Sequence, residues 1–522
     1  MRSEGVAGDI MDVRRTLTWF FSFDSGDLLS ESGHEARATR TRIWALMVAA
    51  IVTATLFLFR PPFIDDSYIT FRYAQRLADM GTLSWNDTGA PVLGTTTVLW
   101  TGVLAAIYRL HLFSMEEGAL IVTTTIVFLL VYNLVIFGHE CLTRCNVNRS
   151  RIVSSLIAAI AVSHAPVRIS LFSGMETALY CLLVVRALML LPTSPAIAGV
   201  YTGLATLTRP DGLILLVVGL LWAGRYRLVF LVTFLIPTVP WFIFSSTHFG
   251  ELLPGSVEAK QILYPSGWLQ NFLMFFEAHT QDSLQGALFC LGGAGLFGAM
   301  SISRLRPFLV WLPLYALGIT VSGVKPIFFW YFTPTWLVVL AIGLLGGSCW
   351  LAVRRHMPAK AFVAGFGVGV LLLGSYSLRQ DVSGQGGFLR ERVYREIVAQ
   401  YHDQIRAEDT ILVGETGILG FGFPRATVLD SAGLTSREIL SLLREVRAHA
   451  GKQYAHRELA TIPGWSTVLV ERMEPRWIIA ARGRFDLVAL EQAPWFTERY
   501  ERVSLFIPEH LGGIGVYRRK AA

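Results

Sequence analysis

The sequence predicts a polytopic α-helical membrane protein with a soluble α/β domain at its C-terminus. Hydrophobic residues make up 53% of the chain, charged residues only 16%, and the mean hydropathy is +0.49, unlike the average soluble protein. Apolar segments recur from residue 43 to residue 377. Since several are shorter than the roughly 20 residues of a straight span, we expect about ten to twelve transmembrane helices, some of them tilted or broken.

The two ends of the chain differ from its centre. Residues 1–42 are polar and end in basic residues, which predicts a disordered cytoplasmic tail, and its apolar patch is too short for a cleaved export signal. Residues 43–379 are predicted to form the membrane domain. In residues 380–522 charges are frequent and strand-like segments alternate with amphipathic helical ones, which predicts an α/β domain on the membrane surface.

The net charge of +7 comes from Lys and Arg residues that are scattered between apolar segments. This distribution favours contact with lipid head groups and phosphates over nucleic acid. The five cysteines form no Cys-x-x-Cys pair and have no His at ligand spacing, so we expect neither a metal cluster nor a disulfide framework.

The loop at residues 60–95 follows the first apolar segment, and the positive-inside rule places it outside the cytoplasm. The spacing of Tyr68 and Phe71 is helical, which predicts one or two short helices along the membrane. A structured loop of this length is usually functional.

Two adjacent carboxylates, Asp65 and Asp66, open this loop. Ionisable groups at the edge of a bilayer are costly and are usually kept for chemistry or binding. On a helix, Arg72 lies two turns beyond Asp65 on nearly the same face. The alternative is therefore an acidic helix start with a matching Arg that only stabilises the helix.

Charges also interrupt the apolar sequence further on. Glu176 comes three residues after Ser173, a spacing that is equally typical of a capping box at a helix start. Arg209 and Asp211 flank a proline in a turn that requires neither charge.

Lys260, Lys325 and Tyr331 lie near predicted helix ends. Lysines that snorkel to the interface and belts of aromatic residues are common there. We therefore keep both interpretations open, a site role and an interfacial one.

Together these motifs resemble the GT-C superfamily of membrane glycosyltransferases, which use polyprenyl-phosphate sugars as donors. They are most similar to the terminal β-arabinofuranosyltransferases of mycobacterial cell-wall synthesis and related bacterial proteins. The resemblance extends over most of the chain from about residue 60. It is carried by the elements at Asp65–Ala74, Ser173–Thr177 and Thr208–Gly212, by the one that ends at Lys260, and by the strand and turn around Asp430. The chain departs from this family at Gly94-Thr95, which lacks a preceding acid, and at Ser256, where relatives often carry Asn-Thr.

The resemblance implies an inverting glycosyltransferase in a bacterial plasma membrane that moves a sugar, such as arabinofuranose, from a polyprenyl phosphate to an extracytoplasmic envelope glycan. It implies a general base at Asp65 or Asp66. We favour Asp65 as base, with Asp66 orienting substrate, a metal or Arg72, and keep the reverse order open. The residues expected to bind the donor phosphate and the substrates are Arg72, Tyr68, Glu176, Arg209, Asp211, Lys260, Lys325 and Tyr331.

The expected partners are the lipid-linked donor, the glycan acceptor and the bilayer, without nucleic acid. The resemblance requires no nucleotide cofactor and leaves a divalent cation open, because metal use varies within the superfamily. A transporter or flippase of lipid-linked sugars is the main alternative, although the sequence shows no convincing internal repeat and its acids concentrate beside the membrane. A membrane scaffold or sensor without enzymatic activity is the third.

Overall fold

The computed structural model describes residues 31–87, 92–251, 254–280, 283–354, 388–450, 457–481, 485–506 and 513–521. The chain divides into two units after residue 44. Of the first unit, the structure describes the start of helix α1 (Glu31–Leu58). This helix begins inside the tail that we predicted to be disordered, since residues 35–42 are mostly good helix formers that extend the apolar helix.

The second unit holds the rest of the membrane domain and the C-terminal domain. The membrane helices are α2 (Asp65–Met80), α3 (Val98–Tyr108), α4 (Met115–Arg144), α5 (Ser150–Ser163), α6 (Ala165–Leu171), α7 (Thr177–Leu190), α8 (Pro195–Thr208), α9 (Leu213–Trp222), α10 (Arg227–His248), α11 (Gly255–Leu263), α12 (Trp268–Thr280), α13 (Ser283–Ala299), α14 (Arg306–Val321) and α15 (Thr333–Arg354).

Four segments are helical, long and apolar enough to cross a bilayer: residues 37–58, 115–144, 224–248 and 329–353. Helices α5 and α6 form a fifth candidate if the pair, which bends by 73°, is one span. Four shorter apolar helices accompany them in the part of the chain that the structure describes. A polytopic helical membrane domain is thus confirmed. Ten to twelve spans stay a prediction, and the one expected near residues 360–377 lies outside the described residues.

Glycines allow helices α13 and α15 to pack backbone against backbone. A Cβ atom on Gly295 would lie 2.0 Å from the carbonyl oxygen of Gly343, and one on Gly298 would lie 2.4 Å from that of Gly346. Small residues at such contacts let membrane helices approach closely, where van der Waals packing holds them together.

The C-terminal domain is built on a five-stranded sheet in the order β2-β1-β3-β5-β4. Strands β1, β2 and β3 are parallel, whereas β5 runs antiparallel to β3 and β4. This confirms the predicted α/β domain. Its elements are α16 (Leu389–Tyr401), β1 (Thr410–Val413), α17 (Gly417–Gly422), β2 (Thr427–Asp430), α18 (Arg437–His449), α19 (Trp465–Met473), β3 (Trp477–Ala481), α20 (Leu487–Gln492), α21 (Pro494–Arg499), β4 (Tyr500–Phe506) and β5 (Ile514–Arg519).

Candidate active site

Asp65 binds the C-terminal domain. Its side chain is buried, and its Oδ2 and Oδ1 atoms accept hydrogen bonds from the backbone N–H groups of Gly417 (3.0 Å) and Ile418 (2.8 Å), in the first turn of α17. A Cβ atom on Gly417 would lie 1.8 Å from the Asp65 carbonyl oxygen, so only glycine permits this approach. Both carboxyl oxygens of Asp65 are therefore engaged by backbone.

Burial first, and then the nearby Glu415, raise the pKa of Asp65 to about 8, although the Ile418 N–H group lowers it. A raised pKa makes a carboxylate a stronger base. Asp65 is enclosed between α2 and α17, however, and does not line the cavity described below.

Arg72 holds the other end of α17. Its Nη1 atom donates to the carbonyl oxygens of Gly420 and Phe423, and its Nε atom donates to the carbonyl oxygen of Trp85 (2.8 Å). The guanidinium also lies 4.7 Å from the centre of the Trp85 ring. The structure thus directs the donors of Arg72 at protein carbonyl groups, and Arg72 does not line the cavity described below.

The loop after α2 pairs with the edge of the C-terminal sheet. The side-chain amide of Asn86 both donates to the carbonyl oxygen of Val428 (3.0 Å) and accepts from its N–H group (3.0 Å), and Trp85 Nε1 donates to the same carbonyl oxygen (3.1 Å). Val428 lies in the edge strand β2, whose outer backbone groups would otherwise lack a neighbouring strand. The loop at residues 60–95 therefore binds the C-terminal domain through the edge of its sheet.

Asp66 differs from Asp65 in its burial and in its contacts. It is half-buried, and among the described residues its carboxylate makes no direct hydrogen bond or ion pair. It lies close enough to Lys260 to favour the charged form of that side chain. It also acts on Asp430, whose pKa is raised to about 6 by burial first and by the charge of Asp66, against the N–H groups of Ala432 and Leu434. Asp66 is thus a carboxylate available for chemistry.

A cavity of about 400 Å³ opens between the ends of several membrane helices. Apolar side chains such as Met175, Ile214 and Trp330 form much of its wall. Its charged, hydroxyl-bearing and phenolic lining residues include Thr96, Glu176, Arg209, Asp211, Ser256, Lys260 and Tyr331. The structure therefore brings together five of the predicted binding residues, and it adds Thr96 and Ser256.

Arg209 is buried in the wall of this cavity between two acids. Its Nη2 atom lies 2.9 Å from Asp211 Oδ2, and its Nη1 atom lies 3.5 Å from Glu176 Oε1. The rings of Tyr180 and Tyr331 lie 5.1 and 5.3 Å from the guanidinium carbon. Two carboxylates already balance the Arg209 charge, so its clearest role is to hold these acids in place.

The sequence around Arg209 explains why helix α8 ends at the wall of the cavity. The residue before a proline avoids helical backbone angles, and Arg209 has φ −151° and ψ 138°, so α8 ends at Thr208. Pro210 then starts a short 3₁₀ turn. A Cβ atom on Gly212 would lie 2.5 Å from the backbone nitrogen of Thr206, so the turn needs glycine there.

The turn before α7 positions Glu176. Gly174 has φ +84°, and a Cβ atom on it would lie 2.9 Å from the side chain of Ser67 in α2. The capping-box interpretation is wrong, because α7 begins at Thr177 and the Ser173 hydroxyl donates to Ser170. Glu176 instead contributes its carboxylate to the cavity.

Lys260 and Ser256 lie one turn apart on α11 and share a face of that helix. Burial lowers the pKa of Lys260, but Tyr331, Asp66 and Glu176 together outweigh this effect and raise it. Lys260 Nζ contacts the Tyr331 hydroxyl at 3.3 Å. No carboxylate of the described residues lies within 4 Å of Lys260, so its charge remains available to a ligand. The i, i+4 spacing from Lys260 would have identified Ser256 from the sequence.

Two predicted ligands lie in contacts between the domains instead. Lys325 Nζ lies 2.8 Å from Glu458 Oε1 of the C-terminal domain. The Tyr68 hydroxyl donates to Glu116 on α4 (3.0 Å) and accepts from Arg395 on α16 (2.9 Å). Neither Lys325 nor Tyr68 lines the cavity, and Asp66 is not among its lining residues either.

The described residues contain no group of three or more side chains that could hold a metal ion. A divalent cation therefore stays a prediction.

The chain is thus a polytopic helical membrane protein with a polar cavity and a small α/β domain bound beside its helical bundle. The fold is similar to that of ArnT from Cupriavidus metallidurans. The TM-score is 0.56 for the apo crystal structure and 0.54 for the one bound to undecaprenyl phosphate. Both comparisons give 14% sequence identity and cover 92% of this chain and 98% of ArnT. No protein-family model matches the sequence, and the search of curated proteins gives no match.

Proposed function

We propose that this protein is a glycosyltransferase that moves a sugar from a polyprenyl phosphate to an acceptor hydroxyl. The observation that carries the proposal is an available carboxylate, Asp66, whose charge acts on Lys260, a half-buried cation that lines a cavity among the helices. The fold supports it, since a protein of the same fold has been crystallised with undecaprenyl phosphate.

The groups of this site suit a single displacement. The acceptor oxygen attacks the anomeric carbon while Asp66 takes the proton of that hydroxyl. The bond between the anomeric carbon and the phosphate oxygen breaks, and its electron pair leaves with the lipid phosphate. The charge of Lys260 stabilises that anion. One displacement inverts the anomeric centre.

We therefore reverse our preferred order of the two acids. Asp65 is the positioning residue, because its oxygens are bound to Gly417 and Ile418. Asp66 is the base, because it makes no direct hydrogen bond or ion pair with any described residue.

The distribution of arginines supports an extracytoplasmic site. Helix α4 has 30 residues and is about 45 Å long. Its first turn contacts Tyr68 through Glu116, whereas its other end carries Arg144 and the ion pair between Glu140 and Arg304. By the positive-inside rule, the end with these arginines faces the cytoplasm. The protein then lies in the plasma membrane of a bacterium, with its C-terminal domain on the outer side.

The finer assignment, arabinofuranose as the sugar and an envelope glycan as the acceptor, rests on the resemblance of the sequence motifs. The test is to incubate the protein in nanodiscs with radiolabelled decaprenyl-phosphoryl arabinofuranose or decaprenyl-phosphoryl mannose and a panel of envelope glycans. We expect labelled glycan from the wild type and at least a ~100-fold lower rate from Asp66→Asn, the contribution typical of a general base.

The matched control is Asp79→Asn, on the same helix but exposed, which should transfer sugar at the wild-type rate. Equal rates for the two variants would remove Asp66 from the mechanism. A wild type that transfers no sugar but moves the lipid donor across the bilayer of a liposome would establish the flippase alternative.

A further inference from the structure

Two oxygen atoms in the cavity wall are without partners. Glu176 Oε2 and Ser256 Oγ are both buried and accept or donate no hydrogen bond within the described residues. Proteins satisfy most buried polar groups, and each exception calls for an explanation. Since both residues line the cavity, a bound ligand is the partner that the cavity can supply.

The two residues lie beside the cation that we assign to the donor phosphate. Ser256 precedes Lys260 by one turn of α11, and the Glu176 charge acts on Lys260. A carboxylate repels a phosphate, so the phosphate belongs on the side of Lys260 that faces away from Glu176. The group next to Glu176 is then the sugar that the phosphate carries.

The chemistry of the two oxygens selects hydroxyl groups. The Glu176 carboxylate, whose Oε1 pairs with Arg209, can only accept hydrogen bonds, whereas the Ser256 hydroxyl can donate and accept. A sugar hydroxyl can satisfy both. An ammonium group fits less well, because the cations Arg209 and Lys260, which also line the cavity, would repel it.

We infer that Glu176 and Ser256 recognise hydroxyl groups of the donor sugar, so that the substrate class is a polyprenyl phosphate whose sugar is neutral and keeps its hydroxyls. This inference rests on the proposed function and deepens it. A site built to bind a hydroxyl rejects the analogue that lacks it strongly, because its own polar groups are then left unpaired.

The experiment compares the binding of decaprenyl phosphate with that of decaprenyl-phosphoryl arabinofuranose, mannose and glucose to the full-length protein in nanodiscs. We expect the wild type to bind at least one of the sugar-bearing lipids at least ~10-fold more tightly than the bare lipid. Ser256→Ala and Glu176→Gln should lose that preference and keep their affinity for decaprenyl phosphate. Because Ser256→Ala removes an unsatisfied hydroxyl, its melting temperature should equal or exceed that of the wild type.

The matched control is Ser322→Ala. Ser322 lies at the same cavity, but its hydroxyl already donates to the carbonyl oxygens of Ile319 (2.9 Å) and Val324 (3.2 Å). This variant should keep the preference for the sugar-bearing lipid. As a second measurement that needs no variant, monodeoxy analogues of the preferred donor should include at least one that binds the wild type ~10-fold more weakly.

The outcomes separate this inference from the proposed function. If the wild type binds no decaprenyl phosphate at all, the proposed function fails. If it binds bare and sugar-bearing lipids equally, if Ser256→Ala keeps the preference or melts earlier than the wild type, or if no monodeoxy donor binds more weakly, the recognition by Glu176 and Ser256 is refuted while the proposed function stands.

Discussion

Asp65 and Arg72, two turns apart on α2, hold opposite ends of the same six-residue helix, α17. The oxygen atoms of Asp65 meet the N–H groups of its first turn, and the guanidinium of Arg72 meets carbonyl oxygens at its end. Each side chain thus satisfies backbone groups that one end of a helix leaves unpaired. Because α17 joins β1 to β2, this clamp fixes the C-terminal domain to the helix that carries Asp66.

Replacing Arg72 with Lys should loosen this clamp. Lysine has one point charge and cannot reach the carbonyl groups of Gly420, Phe423 and Trp85 together. We expect faster amide hydrogen exchange in α17 and a loss of stability of about 2 kcal/mol, within the range for breaking a buried hydrogen-bond network. Arg109→Lys, at an exposed arginine, should leave exchange in α17 unchanged. Protection of α17 at the wild-type level in Arg72→Lys would contradict the clamp.

Gly417→Ala should be among the most damaging single changes in the chain. The added Cβ atom would lie 1.8 Å from the Asp65 carbonyl oxygen, and backbone cannot move aside as a flexible side chain can. We expect a loss of about 3 kcal/mol, at the upper end of the range for overpacking, visible as a lower melting temperature in detergent. Gly267→Ala is the matched control, because a Cβ atom there would meet nothing within 4 Å. Similar melting temperatures for both variants would show that α17 does not pack this closely against α2.

The pH dependence of stability should report on Asp65. Its pKa rises from an ordinary value near 4 to about 8 in the folded protein, through burial and then through Glu415 and Asp66, with Ile418 N–H and Arg390 opposing. Because the folded state holds this proton more tightly, the contribution of Asp65 to stability is complete below about pH 4 and is lost as the pH rises towards 8.

For one proton, the free energy of unfolding changes by about 1.4 kcal/mol per pH unit. Melting curves of wild type and Asp65→Asn between pH 5 and pH 8.5 measure it. The wild type should lose stability more steeply than the variant over this range, and parallel curves would show that Asp65 does not titrate there.

Local patterns in the sequence predicted much of the fold. Apolar runs gave the membrane domain. Strands were predicted at residues 411–413, 426–429, 477–480 and 514–517 because these short segments are mostly apolar, and they coincide with β1, β2, β3 and β5. Strand β4 was missed, since it lies at the edge of the sheet and most of its residues are partly or fully exposed.

The roles of individual charges could not be predicted in the same way. The main-chain partners of Arg72 in α17 are about 350 residues away in sequence, and no local pattern announces them. The helical spacing of Asp65 and Arg72 was correct, but it could not show that the face they share contacts the C-terminal domain.

Lys260 and Lys325 provide the sharpest test of the site, because the sequence assigned both to the donor phosphate and the structure separates them. Lys260 lines the cavity without a carboxylate partner among the described residues, whereas Lys325 is paired with Glu458.

Lys260→Met should lower kcat/KM for the lipid donor by about 10²- to 10³-fold, the effect of removing one group that stabilises a developing anion. Lys325→Met should leave that ratio unchanged and cost less than about 1 kcal/mol, because its ion pair is partly exposed to solvent. Initial rates at varied concentrations of decaprenyl-phosphoryl arabinofuranose, measured for both variants in nanodiscs, decide the matter. Equal losses would mean that the donor phosphate extends from the cavity to the contact between the domains, and an unaffected Lys260→Met would remove the cation from the mechanism.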